Sequence, residues 1–104
     1  MMILVTVSVV IKGDKLEQAL ALSQAHVARS RAERGCLSHC VQTDNHSPQK
    51  LSFIEQWTDR QALLTHFAEP ASRGFVQSLS ALAVSTPIMK IYDANEISIA
   101  DLAS

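Results

Sequence analysis

Apolar and polar residues alternate with a period of two at the start of the chain. Ile3, Val5, Val7, Val9 and Ile11 hold one set of positions; Leu4, Thr6, Ser8 and Val10 hold the other. Such spacing, rich in β-branched residues, predicts a strand over 2–11, and because both sets are largely apolar, both faces are expected to be covered. Gly13 makes a turn, and Asp14 with Glu17 three residues on resembles a capping box opening a long helix to about Arg34. Its apolar stripe reads Leu16, Ala19, Leu20, Ser23 and Val27, with Lys15, Glu17, Gln18, Arg29, Arg31, Glu33 and Arg34 mostly outside. Gly35 is a natural residue to end it.

Residues 36–43, CLSHCVQT, read as a second strand, and the cluster Asp44-Asn45-His46-Ser47-Pro48 turns the chain back into a third. In that third strand Leu51, Phe53, Glu55 and Trp57 share one face, Ser52, Ile54 and Gln56 the other. Thr58 is the expected N-cap of the next helix, with Gln61 closing a capping box and Asp59 in the first turn, favourable to the helix dipole. Ala62, Leu63, His66 and Phe67 put His66 on or beside that helix's apolar stripe. Glu69-Pro70 interrupts it, residues 71–84 form a further helix with a stripe of Phe75, Val76, Leu79, Leu82 and Ala83, and a last strand runs from Ile88 to about Ile97. The tail from Ser98 to Ser104 is expected to fray or to pack on a neighbour.

The resulting order, βαββαβ, predicts one α+β domain over 1–104 with the ferredoxin-like fold and a four-stranded antiparallel sheet. Helices cover one face of such a sheet and leave the other, also apolar, bare. Leaving large side chains in water there forfeits about 1.5–3 kcal/mol each, so a second copy pressing sheet to sheet is the expected cover. Composition agrees, since only 18% of the residues are charged, few to solvate a monomer's whole surface. A net charge of −1 gives no footprint for nucleic acid or an anionic membrane, and no apolar run is long enough for a membrane span. The apolar start lacks the basic flank and cleavage site of a signal peptide.

Cys36 and Cys40, read as strand neighbours on one face roughly 13 Å apart, are beyond disulfide reach and point to reduced thiols in the cytoplasm. Cys36, His39 and Cys40 suggest a metal site on paper, but strand alternation turns His39 away from both cysteines, so no metal is expected. His26 and His46 read as surface residues. His66 is the foremost candidate for chemistry, because imidazole titrates near neutrality and can accept a phenolic proton; the residues alone equally allow a structural ring. Trp57 is either an aromatic wall for a flat substrate or ordinary core. Glu55, on the same face, either tunes a proton path or is a partnered structural acid. His39 lines either a pocket or a dimer seam.

Gly35-Cys36-Leu37, then Phe53-x-Glu55-x-Trp57-x-Asp59, then Ala62-Leu63 and His66, resemble the antibiotic biosynthesis monooxygenase family over nearly the whole chain. The resemblance implies a dimeric α/β barrel built of two ferredoxin-like subunits, each with a small pocket between sheet and helices. It further implies oxidation of a quinol or polycyclic phenol by O₂ as co-substrate, without metal or bound cofactor, with His66 as base. Trp57 and Phe75 would then shape the pocket and Thr6 or Ser8 would donate hydroxyls. Haem-degrading relatives carry an asparagine where this chain has Thr6, which argues against haem. Quinol-oxidising relatives carry a second histidine where this chain has Ala71, with Arg73 the nearest polar residue. That departure keeps open a non-catalytic barrel that binds a small aromatic or apolar metabolite or serves a stress response, and a related isomerase stays open too.

Overall fold

The computed structural model describes residues 1–103, so of the tail only Ser104 lies outside the described residues. Four strands, β1 (Met2–Val10), β2 (Cys36–Thr43), β3 (Lys50–Trp57) and β4 (Ile88–Ala94), form one antiparallel sheet in the order β2-β3-β1-β4. Three helices, α1 (Leu16–Arg31), α2 (Arg60–Ala68) and α3 (Pro70–Leu82), complete the expected ferredoxin-like α+β architecture. No helix among the described residues is long and apolar enough to cross a membrane.

Strand parity decides which side chains meet the helices. In β1 it is Ile3, Val5 and Val9 that are buried, and in β3 it is Leu51, Phe53, Glu55 and Trp57. The alternate residues, Leu4, Thr6 and Ser8 opposite Gln56, Ile54 and Ser52, lie on the other side of the sheet. There Val10, Ile54, Ile88 and Tyr92 are exposed. The core divides into a larger cluster around Val9, Leu51, Phe53, Phe75 and Leu79, and a smaller one of Ile3, Val5, Trp57 and Leu63.

Several boundaries differ from expectation, each for a local reason. The Asp14 capping box does not form: Gly13–Lys15 is a 3₁₀ turn and no side chain caps α1. The helix stops at Arg31, three residues early, because Ala32 and Glu33 donate to the Arg29 and Ser30 carbonyls in a tightened last turn. Asp59, not Thr58, caps α2, its carboxylate accepting from Ala62 N at 2.8 Å, while Gln61 donates to Thr65 instead. β4 ends at Ala94; the tail that follows folds into a short 3₁₀ helix, Ala100–Ala103, whose start is tied by reciprocal Ser98 and Asp101 hydrogen bonds.

In β2 the register slips between Cys36 and Ser38, so Leu37 is an extra residue. The slip puts Cys36 beside Trp57 on the helix side and Cys40 beside Ile54 on the other, so the two free thiols do not share a face. It also brings His39, opposite Glu55, to the same side as Cys36.

Gly35 is the residue on which the junction of α1, β2 and α2 depends. Its φ is +89°, its carbonyl accepts from Thr58 N at 2.8 Å, and an added Cβ would lie 2.6 Å from the Cβ of Ala62. Gly35→Ala is therefore expected to cost about 2–3 kcal/mol in urea unfolding, from the left-handed backbone and the collision together. A change below about 0.5 kcal/mol would contradict this close approach.

Candidate functional site

α3 packs chiefly on α1 and α2, not on the sheet. Between it and strands β1 and β4 lies a pocket of about 610 Å³, well within the range of small-molecule sites. Val7 and Met89 line it from the sheet, Phe67, Phe75, Val76 and Leu79 from the helices, and Thr86 and Pro87 from the connection into β4. Its inner wall is polar: His26, Glu55, His66 and Ser72.

His66 is 3% exposed and is held from two sides. Both carboxylate oxygens of Glu33 lie 3.0 Å from its Nδ1, so that nitrogen is the donor, and in the neutral ring Nε2 holds the lone pair. Ser72 Oγ lies 3.5 Å from the same nitrogen. The indole of Trp57 lies against the ring with centroids 4.6 Å apart. Trp57 in turn donates from Nε1 to Glu55 at 3.0 Å, and Nε2 of His39 stands 3.5 Å from the same Glu55 oxygen. Burial raises the Glu55 pKa, which the Trp57 hydrogen bond partly opposes.

Of the residues picked from the sequence, His66, Glu55 and Phe75 thus border the pocket together. Trp57 and His39 do not: at 0% and 1% exposure they form the layer behind the wall, so Trp57 supports the site without touching its contents. Thr6 and Ser8 are corrected outright. They sit on the opposite side of the sheet from His66, because β1 turns its odd-numbered residues toward the helices. Ala71 is exposed, and Arg73 reaches the pocket rim while donating to the Ala68 carbonyl at 3.1 Å.

His26 is the largest correction, for it is 5% exposed and central. Its ring stacks on Phe75 with centroids 4.0 Å apart and planes 5° off parallel. It also meets the rings of His39 and His66 at 5.4 and 5.3 Å. A second imidazole at the pocket wall thus comes from α1. The signal was present in the spacing: Ala19, Ser23, His26, Val27 and Ser30 are all buried and follow one another at helical intervals. Glu33 was missed because the helix was read through it.

The model of the family described as "Antibiotic biosynthesis monooxygenase" matches residues 2–78. The chain belongs to this family. Among solved structures, that of an antibiotic biosynthesis monooxygenase is similar with a TM-score of 0.84 and 28% identity, covering 90% of this chain and 99% of the other. Rv0793 from Mycobacterium tuberculosis shares the fold at a TM-score of 0.87 and 19% identity, over 94% of this chain and 99% of that one. The uncharacterized protein sll1783 of Synechocystis is 35% identical over 94 residues, which is 90% of this chain. The chain spans 64% of that relative's length.

In this antibiotic biosynthesis monooxygenase family member the imidazoles behind and beside His66 are uncharged at neutral pH. Burial, then the neighbouring His39 and His66 and Arg29, lowers the His26 pKa to about 3; burial, then His66 and Arg31, lowers that of His39 to about 4. Both values lie below the 6.5 of an ordinary histidine, so on acidification the unfolded chain takes up protons that the folded chain refuses. Stability present above pH 6.5 is therefore lost as pH falls toward 4, at up to about 1.4 kcal/mol per pH unit for each ring. The raised Glu55 pKa opposes this just above the ordinary carboxylate value, because there the folded state holds the extra proton. Urea unfolding is expected to give a stability on the order of 3 kcal/mol lower near pH 5 than near pH 7.5. A flat profile would mean that the rings ionise inside the fold.

Proposed function

We propose that the chain is a cofactor-independent monooxygenase that oxidises a quinol or polycyclic phenol with O₂, with His66 as the base. The observation that carries this reading is a single one: the His66 ring borders an apolar pocket while Glu33 holds its Nδ1. Removal of a phenolic proton by Nε2 leaves an electron-rich phenolate and an imidazolium facing the Glu33 carboxylate, which offsets the new charge in a site where water screens little. The phenolate gives one electron to O₂, and the two radicals combine by forming a carbon–oxygen bond. Loss of water then yields the hydroxyquinone. One quinol and one O₂ become one hydroxyquinone and one water, so the substrate supplies every electron and no outside reductant is needed. Phe53, Phe67 and Phe75 suit flat aromatic rings.

The assembly in this reading is a homodimer joined through the bare sheet face, supported by the exposed Val10, Ile54, Ile88 and Tyr92 there. Light scattering on the eluted protein is expected to give the mass of two chains, and Ile54→Glu to shift it toward one. A wild-type mass of one chain would overturn the dimer. We read the protein as cytoplasmic, supported by its free cysteines.

Oxygen uptake tests the activity. Protein stripped of metal and flavin is expected to consume O₂ above the buffer rate with at least one of a panel of hydroquinones and polycyclic phenols. Failure with the whole panel removes the oxidase reading, and a panel member that stabilises the fold yet is recovered unchanged makes the protein a carrier.

A further inference from the structure

The geometry points to a binding site for a divalent transition-metal ion of the zinc type, held by His26, His39 and His66. These residues stand on α1, β2 and α2, and the fold brings one ligand-capable nitrogen of each to within 4.8 Å of the others. Helical or strand spacing does not bring them together; three separate elements converge on one point.

Two further features mark the cluster as more than packing. First, a buried histidine in a core normally has hydrogen-bond partners, since an unpaired buried polar atom costs free energy. Here Nδ1 of His26 and both ring nitrogens of His39 have none among the described residues. Glu55, 3.5 Å from Nε2 of His39, is close but not in hydrogen-bond geometry. Each neutral ring carries one lone pair, and lone pairs without a donor beside them, gathered in one place, are what an ion satisfies. Second, carboxylates stand beside the rings, Glu33 on Nδ1 of His66 and Glu55 near Nε2 of His39. Carboxylates that receive the outer N–H of ligating histidines orient the ring and strengthen it as a donor. They also supply negative charge against a dication.

The donor set selects the metal. Three neutral imidazoles suit zinc, nickel or copper, whereas magnesium and calcium require oxygen ligands. Zinc–nitrogen bonds of about 2.0–2.1 Å in a tetrahedron place nitrogens about 3.4 Å apart, so the rings close in on the ion by up to about 1.4 Å. His26 and His66 border the pocket, which gives the ion a way in and leaves a coordination position for a pocket molecule. Binding follows from this geometry alone. Its effect on turnover rests on the reading of His66 as the base: an ion that takes its lone pair stops quinol oxidation, so zinc acts as an off-switch.

The test uses the whole protein, freed of metal by a chelator and titrated with Zn²⁺. Nitrogen-detected NMR of the histidine side chains is expected to show ring nitrogens of His26, His39 and His66 shifting together at one equivalent per chain. Those of His46, in the exposed hairpin turn, stay in place. Removing an outer-shell carboxylate typically weakens a metal site roughly 10–100-fold, so His39→Gln, which removes a ligand, is expected to lose at least that much affinity. His46→Gln is expected to lose none. Absence of any shift in the three rings at stoichiometric Zn²⁺, or shifts confined to His46, overturns the site, and this readout needs no variant to fold. Oxygen uptake by the metal-free protein is scored separately: its absence refutes the proposed oxidation and leaves the NMR result standing, while uptake with unmoved rings refutes only the ion site.

Discussion

His66→Gln is expected to lower kcat for quinol oxidation at least about 100-fold while the protein stays folded, since a positioned base contributes typically 10²–10⁴-fold. Glutamine keeps a polar head near Glu33 and Ser72 but offers no basic nitrogen. A loss in kcat with little change in KM is the expected pattern, because the base acts on the proton and the pocket's aromatic walls remain. Glu33→Gln separates holding from chemistry. It leaves Nε2 of His66 in place but weakens the grip on Nδ1, now 3.0 Å from each carboxylate oxygen. A smaller fall in kcat than for His66→Gln is expected. If His66→Gln retains more than about a tenth of the wild-type rate at unchanged stability, the base lies elsewhere.

The second large effect concerns stability. Trp57→Ala is expected to lower the unfolding free energy by about 3–5 kcal/mol, the usual cost of deleting a large buried aromatic ring. The indole has no exposed surface, packs with Ile3, Val5 and Leu63, and donates to Glu55 at 3.0 Å. Its loss opens a void under His66 and takes from a buried carboxylate its 3.0 Å hydrogen bond, leaving His39 Nε2 at 3.5 Å from the same oxygen. Trp57→Phe distinguishes the two contributions. It keeps much of the packing and drops the donor, so a cost of about 1–3 kcal/mol is expected, the penalty of one unsatisfied buried acceptor. Urea unfolding at pH 7.5 measures both. A cost for Trp57→Ala below about 1 kcal/mol would mean that the ring does not support the pocket wall.

How far the sequence carried the reading varies by residue, and the reasons are physical. Leu51, Phe53, Glu55 and Trp57 were assigned to one face because a half-covered strand repeats every second residue, and the structure buries all four. β1 has no such contrast. With both of its faces apolar or small, parity could not say whether Val5 or Thr6 meets the helices, and Thr6 and Ser8 were placed on the wrong side. The bulge at Leu37 leaves no local mark, since it is set by how β2 pairs with β3, and it reversed the relation of Cys36 to His39. His26 reads as a surface group by residue type, though the small residues spaced around it on α1 mark a buried stripe. Glu33 became visible only once α1 ended at Arg31 and the chain bent back under α2. The nearness of His26, His39 and His66 was not legible, because residues drawn from three elements have no spacing to read.

α3 is fastened at both ends. At its start Glu69 is both the C-cap of α2 and the N-cap of α3, and beyond its end Ala83 pairs with Ile11 while Val84 donates to the Val10 carbonyl at 2.8 Å. A rod clamped in this way cannot slide to suit a larger guest, so its residue count sets which side chains roof the chamber. Deleting a single residue between Pro70 and Phe75 would rotate everything downstream by about 100°, putting Val76 in the place of Phe75 and Ser80 in that of Leu79. Tailoring such a chamber to new guests would proceed by side-chain exchange along a rod of constant length.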